Sequence, residues 1–141
     1  DILKSKKKHI YISTGLSILK KVKKSIDLFK NYKKKSILHT PMTYDGSKLN
    51  FQKINLFKKL FKIKTGYSNH SNNINTLYAL SSYDPSNIFL YIKPNIGKKI
   101  SYPDDEHSFS IDKLEDIKLN YLECLETHKV SKDINKTKIF K

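Results

Sequence analysis

The sequence contains no arginine: all 28 of its permanently basic side chains are lysines. Arginine supplies the planar, two-pronged donor that reads guanine edges and clamps phosphates, whereas lysine is a hydrated point charge on a flexible stem. Base-specific readout is therefore disfavoured, while attraction to polyanions is not. With only 13 carboxylates to oppose the lysines, the formal net charge on the 141 residues is +15.

Cysteine, glycine and long apolar runs are also scarce. The single cysteine, Cys124, excludes an intramolecular disulfide and a multi-cysteine zinc site. The four glycines form neither of the glycine-rich loops that hold nucleotide phosphates. No apolar stretch approaches the roughly 18–20 residues needed to cross a bilayer. We therefore predict no catalytic, cofactor or metal site, no enzyme activity and no membrane span.

Apolar periodicity predicts two basic amphipathic helices. From Ile12 onward, apolar residues recur every three or four positions, which favours a helix over about 13–32. A second stripe, from Phe51 to Phe61, predicts a helix over 50–63. Lysines cover the remaining faces of both helices.

The second half of the chain predicts strands and then one acidic helix. Residues 77–83 and 87–93 are rich in aromatic and branched side chains around an Asp-Pro-Ser turn, which favours a β-hairpin. Short strands are also expected near 98–102 and 107–111. A helix over 112–128 follows, in which Asp112 and Glu115 have the spacing of a capping box.

These elements predict a small α+β fold in a single domain, with two basic amphipathic helices, a β-hairpin or short antiparallel sheet, a C-terminal acidic amphipathic helix and lysine-rich tails. The expected boundaries are a basic N-terminal extension over 1–9, the domain over 10–128 and a basic C-terminal tail over 129–141. The side chains expected to be buried are apolar ones on the predicted stripes: Leu19, Val22, Ile26, Phe57, Phe61, Leu80, Phe89, Ile117 and Leu122.

Two clusters of reactive side chains have simpler structural explanations. Cys124 and His128 share a helical face, but zinc needs two further ligands that the sequence does not supply nearby. The run Asp104 to His107 lacks the spacing of a calcium loop and is typical of a solvated acidic loop.

Charge is then the main functional signal, and it favours a non-catalytic RNA-binding structural subunit of a ribonucleoprotein, best explained as an organellar ribosomal protein. In composition the chain is similar to ribosomal proteins as a class. Its expected partners are rRNA and neighbouring proteins of a large assembly in the mitochondrial matrix. Import with cleavage of a leader would explain a start at Asp1 rather than at methionine. The predicted phosphate contacts are lysines of the two basic helices and the turn between them: Lys20, Lys23, Lys24, Lys33, Lys34, Lys35, Lys58, Lys59 and Lys62.

Two alternatives remain open at this stage. The chain could be a lineage-specific accessory subunit of an organellar membrane complex, with its lysines facing lipid headgroups or acidic subunits and no RNA role. The lysine excess could also reflect AT-rich codons, which encode Lys, Asn, Ile, Tyr and Phe.

Overall fold

The computed structural model describes residues 8–95 and 103–128. Its main sheet has four parallel strands, and their order in the sheet is their order along the chain. The strands are β1 Ile10–Ser13, β2 Lys35–His39, β3 Lys64–Ser68 and β4 Ile88–Phe89. In the register, Ile12 lies opposite Ile37 and His39 lies opposite Tyr67. Every carboxyl end therefore lies at the same edge of the sheet.

Each pair of neighbouring strands is joined by a helix, because parallel neighbours cannot be connected by a tight turn. The helices are α1 Leu19–Leu28, α2 Gln52–Phe61 and α3 Ile74–Leu80. Right-handed crossovers between strands whose order never reverses place all the connecting helices on one face. The fold is thus a run of strand-helix units wound in a single direction.

Two short strands extend this arrangement beyond β4. β5 Tyr91–Lys93 starts two residues after β4 ends and pairs in parallel with β6 Ser108–Ser110. The final helix, α4 Leu114–Thr127, places Ile117 against the α3 side chains Leu77 and Leu80.

The apolar core lies between the sheet and its helices. One cluster joins Val22 of α1 and Phe57 of α2 to Ile37 of β2. The larger cluster contains Tyr67 of β3 and further buried side chains from α2, α3, β6 and α4: Ile54, Leu77, Leu80, Phe109 and Ile117. The residues that face the helices are therefore alternate strand residues, as the pleat requires.

The opposite face of the sheet is strongly curved. Tyr11 of β1 and Phe89 of β4 are three strands apart, which is about 14 Å in a flat sheet at the usual strand spacing. Their ring centroids nevertheless lie only 5.0 Å apart in an edge-to-face contact. The sheet is therefore concave on this side, and the two rings meet across the hollow.

The predicted α+β class with an antiparallel hairpin is wrong. Residues 74–80 form α3 and Ser81–Tyr83 a 3₁₀ turn, while the strand residues after the turn pair in parallel with Tyr67 and Ser68. A short apolar run such as residues 77–83 is compatible with a buried helix as well as with a strand. In the folded chain, packing against α4 favours the helix.

The first predicted helix is wrong at both ends. Its start, near Ile12, belongs to β1, and only Leu19–Leu28 is helical. No strand is predicted before residue 77, yet β1, β2 and β3 all lie there. Strands β2 and β3 are buried on both faces and show no apolar-polar alternation, the pattern that identifies a half-buried strand.

The helix predicted over 50–63 is confirmed as α2, and the acidic helix as α4. The capping box is wrong, because a 3₁₀ turn at Ile111–Lys113 precedes α4 and its N-cap, Lys113, makes no side-chain capping bond. The Asp112 carboxylate instead accepts a hydrogen bond from the Asn95 side chain at 2.6 Å.

Of the predicted core, Val22, Phe57, Leu80 and Ile117 are buried, whereas Leu19, Phe89 and Leu122 are more than two-fifths exposed. The short strand expected near 98–102 lies outside the described residues, as do the tail over 129–141 and most of the N-terminal extension. Within the part of the chain that the structure describes, no helix is both long and apolar enough to span a membrane.

Candidate functional site

Histidine and tyrosine side chains gather at the carboxyl edge of the sheet. His39 ends β2, His70 follows β3 by two residues, and His107 comes directly before β6. In parallel α/β folds, ligands bind in the crevice outside the carboxyl ends of the strands, where loops from several units converge. This edge is therefore the candidate functional site.

His39 is a structural member of this edge. It is buried, and its Nε2 lies 2.7 Å from the carbonyl oxygen of Leu49, so the Nε2–H donates to that oxygen. Burial lowers the pKa of the imidazole, with Lys53 opposing its protonation further. A neutral His39 thus holds the segment before α2 against the end of β2.

His70 lies in a turn after β3 that is held by hydrogen bonds between its own residues. The buried Asn69 donates its side-chain amide to the carbonyl of Ser71 at 2.6 Å and its backbone N–H to the carbonyl of Phe89 at 3.0 Å. Asn73 then caps α3 by accepting from the N–H of Asn75. His70 is fixed between these two anchored polar residues.

Four rings form what we call the histidine-tyrosine cluster: Tyr44, His70, Tyr91 and His107. The centroid of His107 lies 5.1 Å from that of His70, 4.4 Å from that of Tyr91 and 5.6 Å from that of Tyr44. Tyr91 also lies 5.5 Å from His70. The loop after β2, the turn after β3 and both short strands therefore meet at one point.

The two histidines of the cluster retain unused hydrogen-bonding capacity. His107 is 3% exposed, and neither of its ring nitrogens has a hydrogen-bond partner, although Nε2 lies 3.5 Å from the Asp104 carboxylate. The Nδ1 of His70 is likewise buried without a partner. Burial lowers the pKa of His70, and the neighbouring His107 lowers it further. Buried polar atoms left unpaired in a folded protein are costly, so they point to a ligand at this position.

The cluster is better suited to hydrogen bonding and proton transfer than to binding a metal through protein groups alone. Among the described residues, no three His, Cys, Asp or Glu side chains form a group able to hold a metal ion. Neutral imidazoles can donate through one nitrogen and accept through the other, which fits a ligand rich in hydroxyl and carboxylate groups.

A groove of about 320 Å³ lies at the carboxyl ends of β1 and β2, and its lining includes Thr43, the residue before Tyr44 of the cluster. Its polar lining includes Ser17, His39, Lys48 and Lys53. Of the two lysines, Lys48 forms an ion pair with Asp45 at 3.1 Å. The groove thus adds positive charge to the edge that carries the histidines.

The predicted phosphate-contacting lysines do not form one surface. Those on α1, Lys20, Lys23 and Lys24, are exposed, as is Lys59 on α2. Lys58 is used within the fold, because its Nζ donates to the carbonyls of Tyr83 and Asp84 at 2.8 and 2.6 Å.

The remaining four predicted lysines, Lys33, Lys34, Lys35 and Lys62, come together at the opposite, amino-end edge of the sheet, where they line a second groove. No member of the predicted set lines the carboxyl-edge groove described above.

Sequence reasoning missed His39 and His70 and treated His107 as part of a solvated loop. Asp104 and Glu106 are indeed exposed, but His107 is buried and Asp105 pairs with Lys93 at 3.1 Å. The signal that could have found the site is a polar residue at the end of each buried strand, as in Ile37-Leu38-His39. Nε2 of His128 lies 2.9 Å from the Ser82 hydroxyl.

Comparison with known proteins identifies relatives. Residues 1–127 match the NeuB family. An N-acetylneuraminic acid (sialic acid) synthetase from Leptospira borgpetersenii serovar Hardjo-bovis, solved in complex with citrate, superposes with a TM-score of 0.78 at 18% identity, over 88% of this chain and 44% of that one. A putative spore coat polysaccharide biosynthesis protein E from Chromobacterium violaceum gives a TM-score of 0.75 at 14% identity, over 90% and 39%. No curated protein sequence matches.

These matches overturn the functional predictions. The ribosomal, RNA-binding structural role is wrong, and so are the rRNA and ribonucleoprotein partners. The chain matches the NeuB family, and the two solved structures are named as a sialic acid synthetase and a polysaccharide biosynthesis protein. The prediction of no enzyme activity is contradicted as well, because the family match and the synthetase structure indicate an enzyme-related protein. The chain spans less than half the length of either solved structure. The mitochondrial location and the lysine contacts stay predictions.

Proposed function

The chain belongs to the NeuB family, and from this premise we propose that it contributes the ligand-binding carboxyl edge of a domain that takes part in the biosynthesis of an acidic sugar. The ligand is a small molecule that carries at least one carboxylate and several hydroxyl groups. It binds at the histidine-tyrosine cluster and extends toward the groove beside it.

One observation carries this proposal, at the edge where parallel α/β folds bind their ligands. The Nδ1 atoms of His70 and His107 are buried without a hydrogen-bond partner, and Nε2 of His107 has only the Asp104 carboxylate, at 3.5 Å. Hydroxyl and carboxylate oxygens are the partners that such nitrogens lack. Tyr44 stacks on His107 with one face of its ring and is more than half exposed, so its other face is available to the carbon face of a sugar ring.

The positive charge of this edge lies in the groove rather than at the rings. Asp104 and Glu106 lie close to Tyr44, and Asp104 is 3.5 Å from Nε2 of His107. Lys48 and Lys53 line the groove at the ends of β1 and β2, and because Lys48 already pairs with Asp45, Lys53 is the lysine we assign to an anionic group of the ligand. A carboxylate in the groove gains charge-assisted hydrogen bonds, which are about twice as strong as neutral ones. The names of the two structural neighbours, a sialic acid synthetase and a polysaccharide biosynthesis protein, point to the same ligand class.

The histidines would act by orienting the ligand and moving protons. Because burial lowers the pKa of His70, it is neutral near pH 7 and can accept a proton from a ligand hydroxyl. His107, 5.1 Å away between ring centroids, is placed to bind a second oxygen of the same molecule.

The test is a titration of the protein with N-acetylneuraminic acid and, separately, with its uncharged methyl ester, followed by NMR chemical shifts. We expect saturable binding of the acid, weaker binding of the ester, and shifts concentrated at the turn after β3. His70→Gln and His107→Gln should each weaken binding of the acid by about tenfold, the effect of losing one charge-assisted hydrogen bond.

His128→Gln is the matched control, because His128 is exposed and far along the chain from the cluster. It should leave the affinity unchanged. The half-buried His70 gives a variant that stays folded even where the fully buried His107 does not. Equal binding by the parent protein and the His70 variant, or no binding by the folded parent, would refute the proposal.

A further inference from the structure

The amino-end edge of the sheet carries a second concave site, of a different chemistry. A groove of about 580 Å³ opens there, and every polar side chain that lines it is basic. We call it the amino-end groove; its polar lining is His9, Lys33, Lys34, Lys35, Lys62 and Lys64. Among the described residues that line it, the one apolar side chain is Ile63.

The fold, rather than the sequence spacing, assembles this charge. One set of lysines leads into β2 and the other leads into β3, and these strands are neighbours in parallel register. Lys64 lies opposite Ser36, and Lys35 lies opposite Ile10. Two lysine clusters almost thirty positions apart in the chain therefore face one hollow.

Two of the lining groups are held in place by the protein. The Nζ of Lys35 donates to the carbonyls of Tyr32 and Lys30, at 3.1 and 3.4 Å. The Nε2 of His9 lies 2.9 Å from the hydroxyl of Ser36, and its ring stacks on Tyr11 with centroids 4.3 Å apart. These contacts fix one wall of the groove.

The other four lysines are exposed and make no ion pair with any carboxylate in the part of the chain that the structure describes. They are Lys33, Lys34, Lys62 and Lys64. Lys62 also adopts a left-handed backbone conformation, φ 52°, which is unfavourable for a residue with a Cβ and which turns the chain sharply between α2 and β3. Like charges gathered without opposing acids are a focus for a bound anion.

We propose that the amino-end groove binds a multivalent phosphate anion, the linear di- or triphosphate group of an inorganic or nucleotide ligand. Lysine recognises phosphate as a point charge without fixed geometry, so several lysines around one hollow favour a ligand with several negative charges. This site is separate from the carboxyl edge and does not depend on the function proposed there.

Calorimetric titrations with inorganic triphosphate, inorganic monophosphate and a nucleoside triphosphate test the proposal at low and moderate salt. We expect saturable binding of triphosphate, at least tenfold weaker binding of monophosphate, and an affinity that falls as salt is added. Equal affinity for the nucleotide and inorganic triphosphate identifies the phosphate chain as the recognised group; tighter nucleotide binding identifies a nucleotide as the source.

The decisive variant replaces Lys34, Lys62 and Lys64 by Gln, and its control replaces Lys20, Lys23 and Lys24 on α1 by Gln, with the same loss of charge. The groove variant should weaken triphosphate binding at least tenfold and the control less than twofold. Equal weakening would show a diffuse charge effect and overturn the proposal, as would absence of saturable binding.

A cross-check keeps the two sites apart. The groove variant should bind N-acetylneuraminic acid as the parent does, and His70→Gln should bind triphosphate as the parent does. A negative result for one of the two proposed sites therefore does not refute the other.

Discussion

The two edges of the same parallel sheet differ in how they hold their polar groups. At the carboxyl edge the polar side chains are imidazoles and phenols, packed ring against ring, and His39 and His107 are buried. At the amino edge they are lysines, mostly exposed, on flexible stems. The same strands thus carry a cluster of packed rings at one edge and a group of mostly exposed lysines at the other.

This difference shows why net charge was a poor guide to function. The lysines dominate the charge of the chain, but the groups that are costly to leave unpaired are the few buried histidines. A charged surface tells what class of molecule is attracted, whereas buried unpaired groups tell where a ligand fits. Substitutions in the shared core, at the carboxyl edge and at the amino edge should therefore have different effects.

The largest loss of stability should come from substitutions in the apolar core that supports both edges. Ile54 of α2 is fully buried against Tyr67, and Ile54→Ala should lower the free energy of unfolding by about 2–5 kcal/mol. Chemical denaturation measures this loss. Leu56→Ala, on the exposed side of the same helix, should stay within about 0.5 kcal/mol. Similar losses for both variants would contradict the helix orientation.

Gly66 tests how closely the strands approach one another. A Cβ at this position would lie 2.6 Å from the carbonyl oxygen of Asn87 and 2.8 Å from Cδ2 of Leu38. That oxygen also accepts the N–H of Tyr67, so it cannot move freely. Gly66→Ala should cost about 1–3 kcal/mol or more by thermal or chemical denaturation.

Gly46→Ala is the control for Gly66, because its Cβ would meet only a side-chain methyl of Thr76 at 3.3 Å. It should be close to neutral. If Gly66→Ala is equally well tolerated, β3 and β4 are not packed as described.

The carboxyl edge should make stability depend on pH. Burial lowers the pKa of His39 and His70 below the usual 6.5, so the unfolded chain binds more protons than the folded chain in mildly acidic solution. The contribution of these two histidines to the free energy of unfolding is therefore complete above about pH 6.5. It decreases as the pH falls toward their pKa values in the folded protein. Thermal unfolding measured between pH 7.5 and pH 5 should show this decrease.

His39→Gln sharpens this test. Glutamine keeps an N–H donor for the Leu49 carbonyl but does not titrate, so the variant should lose part of the pH dependence while being less stable at pH 7.5. His9→Gln, at the other edge, is the comparison. An unchanged pH profile in the His39 variant would show that His39 is not the titrating group.

The amino edge should matter least for stability. Among the described residues, no carboxylate forms an ion pair with Lys34 or Lys64. Replacing both lysines by Gln should therefore change the free energy of unfolding by no more than about 0.5 kcal/mol. Added salt should stabilise the parent slightly more than the variant, because salt screens the repulsion. A larger loss in the variant would mean that these lysines support the fold itself.

The sequence predicted some elements well. Helices α2 and α4 follow from apolar residues spaced every three or four positions, and this spacing needs no knowledge of the rest of the chain. The lysine clusters before β2 and β3 are visible as runs, but their meeting in one groove is not. Local patterns identified surface helices because such helices bury only one face.

The buried strands and the histidine site escaped sequence reasoning for a common physical cause. Strands β2 and β3 are covered on both faces, so their sequences lack alternation, and His39, His70 and His107 are separated by more than thirty residues each. Nothing local marks residues whose importance arises from the strand order.

By itself, then, the sequence determined the charge, the scarcity of cysteine and glycine, and the amphipathic helices, because composition and periodicity are local properties. Only the tertiary structure decided that the strands run parallel, that three histidines lie at one edge and that the lysines gather at the other. Parallel pairing brings distant segments into register through crossover helices, and long-range contacts of that kind leave no periodic trace in the chain.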